Sequence, residues 1–143
     1  MLSPGLLKRI ERFWEVIEKL RKIASHSVEE IISNFLLYDS AERNLHVALE
    51  ILFDVGNFII SALNMPSPSS YADMAIKLLR IGAISLEEAN TMKKMAGLRN
   101  ILVHGYVDVS PLKICAIIKN RLDDLTHIMS KMLSFLKRKN IDP

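Results

Sequence analysis

A chain of 143 residues, half of them hydrophobic, can bury one core but not two, and its formal charge of +3 and pI near 9.1 permit a nucleic-acid partner without requiring one. Cys115 is the only cysteine, which excludes an intramolecular disulfide and suits a small core residue in a reducing compartment. Lys8 and Arg9 precede any apolar stretch that could serve as a secretory signal, and Pro66 and Pro68 interrupt the longest uncharged run, residues 55–72; a soluble, cytoplasmic protein without a membrane span is expected.

Ser3-Pro4 predicts the start of a first helix over 4–24, since proline at the first helical position gives up an amide that would have no helical partner. Ser27 followed by Glu30 predicts a second over 27–37, and Asp39 followed by Glu42 a third over 40–64; the two could run together. Within the third, Leu45, Leu49, Leu52, Val55, Phe58, Ile59 and Leu63 recur at helical spacing. The stretch NMPSPSS is the one clear loop, after which Ser70 with Asp73 opens a helix over 71–81 and Ser85 with Glu88 another over 86–104. Ser110-Pro111 opens the last, 111–139, whose apolar residues run from Ile114 to Phe135. Nothing reads as a strand. The expected fold is therefore all-α, an up-and-down bundle of five to six helices forming one domain over 1–143, with the two long helices as its spine.

Most of the charge has a simple explanation. The cations of the first helix, Lys8, Arg9, Arg12, Lys19, Arg21 and Lys22, alternate with Glu11, Glu15 and Glu18 at spacings of three and four, which favours a solvated face over a nucleic-acid surface. His26, His46 and His127 are isolated, and no His/Cys cluster has metal-ligand spacing, so no metal and no cofactor is expected. Asp54 and Asn57 interrupt the apolar run ILFDVGNFII in a helix that should be heavily buried. They are either a hydrogen-bonded pair fixing helix register or a support behind a functional site.

The stretch RNILVHGY, residues 99–106, concentrates the remaining polar chemistry. Ile101, Leu102 and Val103 can anchor the end of the fifth helix, and Gly105 supplies a stop just past His104. Asn100 and His104, four apart, share a face; Arg99 lies about 140° round the helix from His104 and roughly 7.5 Å along the axis. Arginine matches phosphate oxygens with a fixed fork of donors, and histidine can move a proton at neutral pH. Together they could cleave RNA without a metal, taking a proton from a 2′-hydroxyl or giving one to a leaving 5′-oxygen, with Asn100 orienting either partner. Spacing alone does not separate this from a capping histidine beside a surface arginine. Lys93 and Lys94 precede Arg99 and either extend a positive approach for RNA or are merely solvated.

Arg99, His104 and Tyr106 occupy the three named positions of an RxxxxHxY motif, and the chain resembles the HepT-like toxins of the HEPN superfamily. The resemblance covers roughly residues 39–136. AERNLHVALEILFDVGNFIISAL is similar to that family's long central helix, PSPSSYADMAIKLLRIGAIS to its loop and short helix, and MAGLRNILVHGYVDV to its motif helix. It implies the endoribonuclease toxin of a type II toxin–antitoxin pair, with Arg99 and His104 as the catalytic pair, Asn100 supporting them and RNA as substrate. The implied partner is a MntA-like minimal nucleotidyltransferase, which would neutralise the toxin by transferring AMP to Tyr106. It also implies a homodimer whose two motifs meet in one cleft, so that groups 140° apart on one helix converge across a two-fold axis. The alternative is a non-catalytic helical dimer that binds a nucleotidyltransferase or a nucleotide.

Overall fold

The computed structural model describes residues 4–104 and 109–142. Among these lie seven helices and no strand: α1 (Pro4–Ala24), α2 (Val28–Ser33), α3 (Phe35–Ala62), α4 (Tyr71–Arg80), α5 (Leu86–Val103), α6 (Pro111–Asn120) and α7 (Leu122–Arg138). The all-α expectation holds, with one helix more than the sequence suggested. Ser27–Glu30 and Ser85–Glu88 form complete capping boxes, and the Ser70 hydroxyl accepts from the Asp73 amide at 3.0 Å.

Two boundaries differ from expectation. α3 begins at Phe35, because the Asn34 side chain accepts from the Leu36 and Leu37 amides and caps it there; Asp39 and Glu42, expected to open the helix, lie inside it. The last predicted helix is two. Arg121, at φ −121° and ψ 4°, closes α6 and opens α7, where Asp123 and Asp124 complement the positive end of the new helix. Ile118 and Leu122 stay buried on either side of the break, so the apolar rhythm runs straight through it.

α3 is the hub and packs against every other helix. By length and composition it could cross a membrane, but its apolar face is core: Leu45, Leu49, Leu52, Phe53, Val55 and Ile59 are essentially inaccessible. Gly56 allows α4 to lie close, since a Cβ there would come within 2.7 Å of Met74 Sδ. Three helices end in left-handed caps. Asn64, Gly82 and Asn140 have φ of 57°, 80° and 55°, and in each case the next residue's amide reaches back to a carbonyl of the final turn. The Gly82 cap sets the tight turn that brings α5 back alongside α4.

Candidate functional site

α5 carries the motif, and its two halves have different surroundings. Glu88, Ala89, Met92, Met95 and Ala96 are buried; beyond Ala96 no residue of the helix is. Of the expected anchors of its last turn, Leu102 is partly covered and packs against the core, whereas Ile101 is only partly covered and Val103 is 39% exposed. Ile101 lines an open groove between α5, α6 and α7.

Arg99 faces α3 and α4. Its Nε donates to Glu50 Oε1 at 2.5 Å, and its guanidinium carbon lies 4.6 Å from the centre of the Tyr71 ring. The same Glu50 oxygen lies 3.2 Å from Nε2 of His46, one turn earlier on α3. Tyr71 in turn packs on Phe53, with ring centres 4.5 Å apart. Arg99 is 21% and Glu50 33% exposed at the side chain, so the pair is largely shielded while the end of the helix is not. Asn100 and His104 are exposed, and His104 is the C-cap of α5, its amide donating to the Asn100 carbonyl at 3.1 Å. Arg99 and His104 thus lie in the different environments that five-residue spacing predicts. Gly105 and Tyr106 fall outside the described residues.

Lys93 and Lys94 are exposed on the same helix. Lys94 stands with Lys113 and Arg121 on the rim of the α5–α6–α7 groove, about 470 Å³, whose floor includes Met95, Leu98, Ile117 and Leu125. Asp54 and Asn57 are not a buried polar pair. Asp54 accepts from Arg9 Nη1 of α1 at 2.9 Å with both side chains about half exposed, and Asn57 is exposed. The polar stripe of α3 emerges at the bundle surface there, which is why neither needs an internal partner. Both line a groove of about 330 Å³ whose wall includes Tyr71, the ring beneath Arg99.

Glu50 escaped the sequence reading, and His46, expected to be isolated, pairs with it. Contacts separated by 49 residues leave no spacing signal, but Glu50 sits one turn before Asp54 as an acid in the same apolar run, and that interruption could have marked it. Among the described residues no group of three His, Cys, Asp or Glu side chains could hold a metal.

The family model for ribonuclease HepT-like proteins matches residues 13–132. The chain belongs to this family. It is 25% identical over 123 residues to the mRNA nuclease HepT of Shewanella oneidensis, covering 86% of the chain and 92% of that protein. With the tRNA nuclease HepT of Aphanizomenon flos-aquae it shares 25% identity over 136 residues, 94% of the chain and 92% of the relative. In fold it matches the tri-AMPylated HEPN toxin of Shewanella oneidensis in complex with its MNT antitoxin, at a TM-score of 0.82, 22% identity, and 93% and 99% coverage. It also matches the cytosolic protein YutE of Bacillus subtilis, at a TM-score of 0.78, 21% identity, and 97% and 93% coverage.

Proposed function

We propose that this HepT-like chain is the endoribonuclease toxin of a type II toxin–antitoxin pair and cleaves RNA without a metal. The observation that carries the reading is the state of Arg99: a shielded guanidinium bound through Nε to Glu50 and backed by Tyr71, a bond that does not use the Nη edge of the fork. That edge matches two oxygens of a phosphate. The relatives named mRNA and tRNA nuclease support RNA as the phosphate's source.

In this mechanism Arg99 stabilises the negative charge that builds on the phosphate oxygens as the ribose 2′-oxygen attacks phosphorus. His104 moves the proton, accepting it from the 2′-hydroxyl or donating it to the departing 5′-oxygen, and Asn100 orients the histidine or the phosphate. The products are a 2′,3′-cyclic phosphate and a 5′-hydroxyl, so no water and no oxidant enters the step. Two chains pair about a two-fold axis so that their motifs share one cleft. A MntA-like nucleotidyltransferase neutralises the toxin by placing AMP on Tyr106, where added bulk and like charge exclude the substrate phosphate; an AMPylated fold neighbour bound to an antitoxin supports this.

The test is cleavage of total tRNA and of an mRNA transcript by unmodified protein in excess chelator. Cleavage that persists with chelator and disappears in Arg99→Ala and His104→Ala is expected. An inert wild type that still forms a stable complex with the nucleotidyltransferase would overturn catalysis and leave a binding module.

A further inference from the structure

We propose that Glu50 is a positioning residue for Arg99, fixing the guanidinium through Nε so that its Nη edge is presented to substrate phosphate. The inference rests on the reading of Arg99 as the group that meets the phosphate.

The geometry differs from that of an ordinary tie between helices. Arg9–Asp54, which ties α1 to the same α3, joins through a terminal Nη nitrogen at 2.9 Å and is about half exposed on both sides. Such a pair costs little to rearrange and contributes little. Arg99 instead uses its inner nitrogen at 2.5 Å, with exposures of 21% and 33%. A bond at Nε fixes the guanidinium by its stem, and the Tyr71 ring 4.6 Å from Cζ backs one face. The support has its own support: His46 Nε2 lies 3.2 Å from the same carboxylate oxygen, and Phe53 backs Tyr71. Donors fixed before substrate arrives need no reorganisation as charge develops, which is where such stabilisation is greatest.

A helix-tying pair and a positioning pair give different kinetics. Wild type, Glu50→Gln, Glu50→Ala, Arg99→Ala and, as a control, Arg21→Gln are compared as unmodified full-length proteins on whichever of total tRNA or mRNA transcript is cleaved. Arg21→Gln breaks the α1–α7 ion pair to Asp123. Glu50→Ala should lower kcat about 100-fold with KM within about 3-fold, the loss expected when a preorganised donor is misplaced. Glu50→Gln, whose amide oxygen still accepts from Nε, should retain about a tenth of kcat; Arg21→Gln should leave kcat unchanged. An activity-independent readout is the Nε–Hε NMR signal of Arg99, which should exchange with water at least about 10-fold faster in Glu50→Ala.

Unchanged kcat in a folded Glu50→Ala beside a dead Arg99→Ala overturns the inference and leaves the functional reading standing. An Arg99→Ala protein that cleaves like wild type overturns both. Should Glu50→Ala fail to fold, the isosteric Gln variant carries the same test, and full kcat in a Gln variant whose Hε exchange has accelerated about 10-fold overturns the proposal.

Discussion

The two halves of α5 are built for different ends. In the first, the buried acid is consumed by the fold: the Ser85 amide donates to Glu88 at 2.7 Å, the Glu88 amide donates to the Ser85 hydroxyl at 3.1 Å, and His127 of α7 bonds the other Glu88 oxygen. In the second, Arg99 is held by one nitrogen while Asn100 and His104 lie exposed at the end of the helix. One helix thus carries a structural acid and the proposed functional cluster three turns apart. Stability and activity should therefore separate along it.

The largest expected effect lies at the exposed end. His104→Ala should lower the cleavage rate about 1000-fold, within the range for a lost general acid or base, while shifting stability by less than about 0.5 kcal/mol. Cleavage rates beside thermal melts measure both. A melt that falls by several degrees would erase the contrast and place His104 among the structural residues.

Glu88→Ala should do the reverse, costing about 2–3 kcal/mol in stability by removing half of a capping box and a shielded partner of His127, with kcat unchanged in the folded fraction. pH sharpens the contrast. Burial works to raise the Glu88 pKa, but the Ser85 amide and hydroxyl and His127 outweigh it and hold the carboxyl below its ordinary value. A depressed folded pKa contributes stability that is complete above the unfolded glutamate pKa, about 4.3, and is lost as pH falls through the folded value. The melting difference between wild type and Glu88→Gln should therefore be full above about pH 5 and shrink below about pH 4.

The structural half was the more legible in the sequence, for a physical reason. Caps are local: Ser27–Glu30, Ser70–Asp73 and Ser85–Glu88 act over three residues, and all three appear where the sequence placed them. Helical periodicity is local too, but it reports burial and not continuity. It therefore passed through Arg121, where both flanks stay in the core, and the break went unseen. Asn34 was missed because it caps from the end of a helix only six residues long, and the Asp39–Glu42 pattern nearby fitted better. Of the candidate site, RNILVHGY was legible as a cluster of chemistry, and Asp54 and Asn57 as interruptions. What Arg99 leans on was not, because Glu50 and Tyr71 come from two other helices and only packing brings them together.

A smaller effect belongs to the turn that delivers α5. Gly82, at φ 80°, donates its amide to Leu79 O at 3.0 Å, and Ala83 donates to Leu78 O at 2.9 Å, closing α4 and turning the chain toward Ser85. A side chain at that φ costs about 1–2 kcal/mol although nothing lies within 4 Å of its Cβ, so Gly82→Ala should destabilise by that amount from backbone strain alone. Denaturant midpoints at unchanged slope would show it. Cleavage by the folded protein should be unaffected, because the strain falls at the structural end of α5.

The smallest effect tests how far the functional half extends. Lys93 and Lys94 project from the middle of the helix, and Lys94 shares a groove rim with Lys113 and Arg121. If RNA passes along this side to reach Arg99, these lysines neutralise phosphates and release counterions, and Lys93→Gln with Lys94→Gln should raise KM about 3-fold with kcat intact. The plot of log KM against log salt should lose slope, by up to about one for each phosphate contact removed. Full slope in the double variant would instead mean that both ammonium groups are only solvated and that the functional half of α5 begins at Arg99.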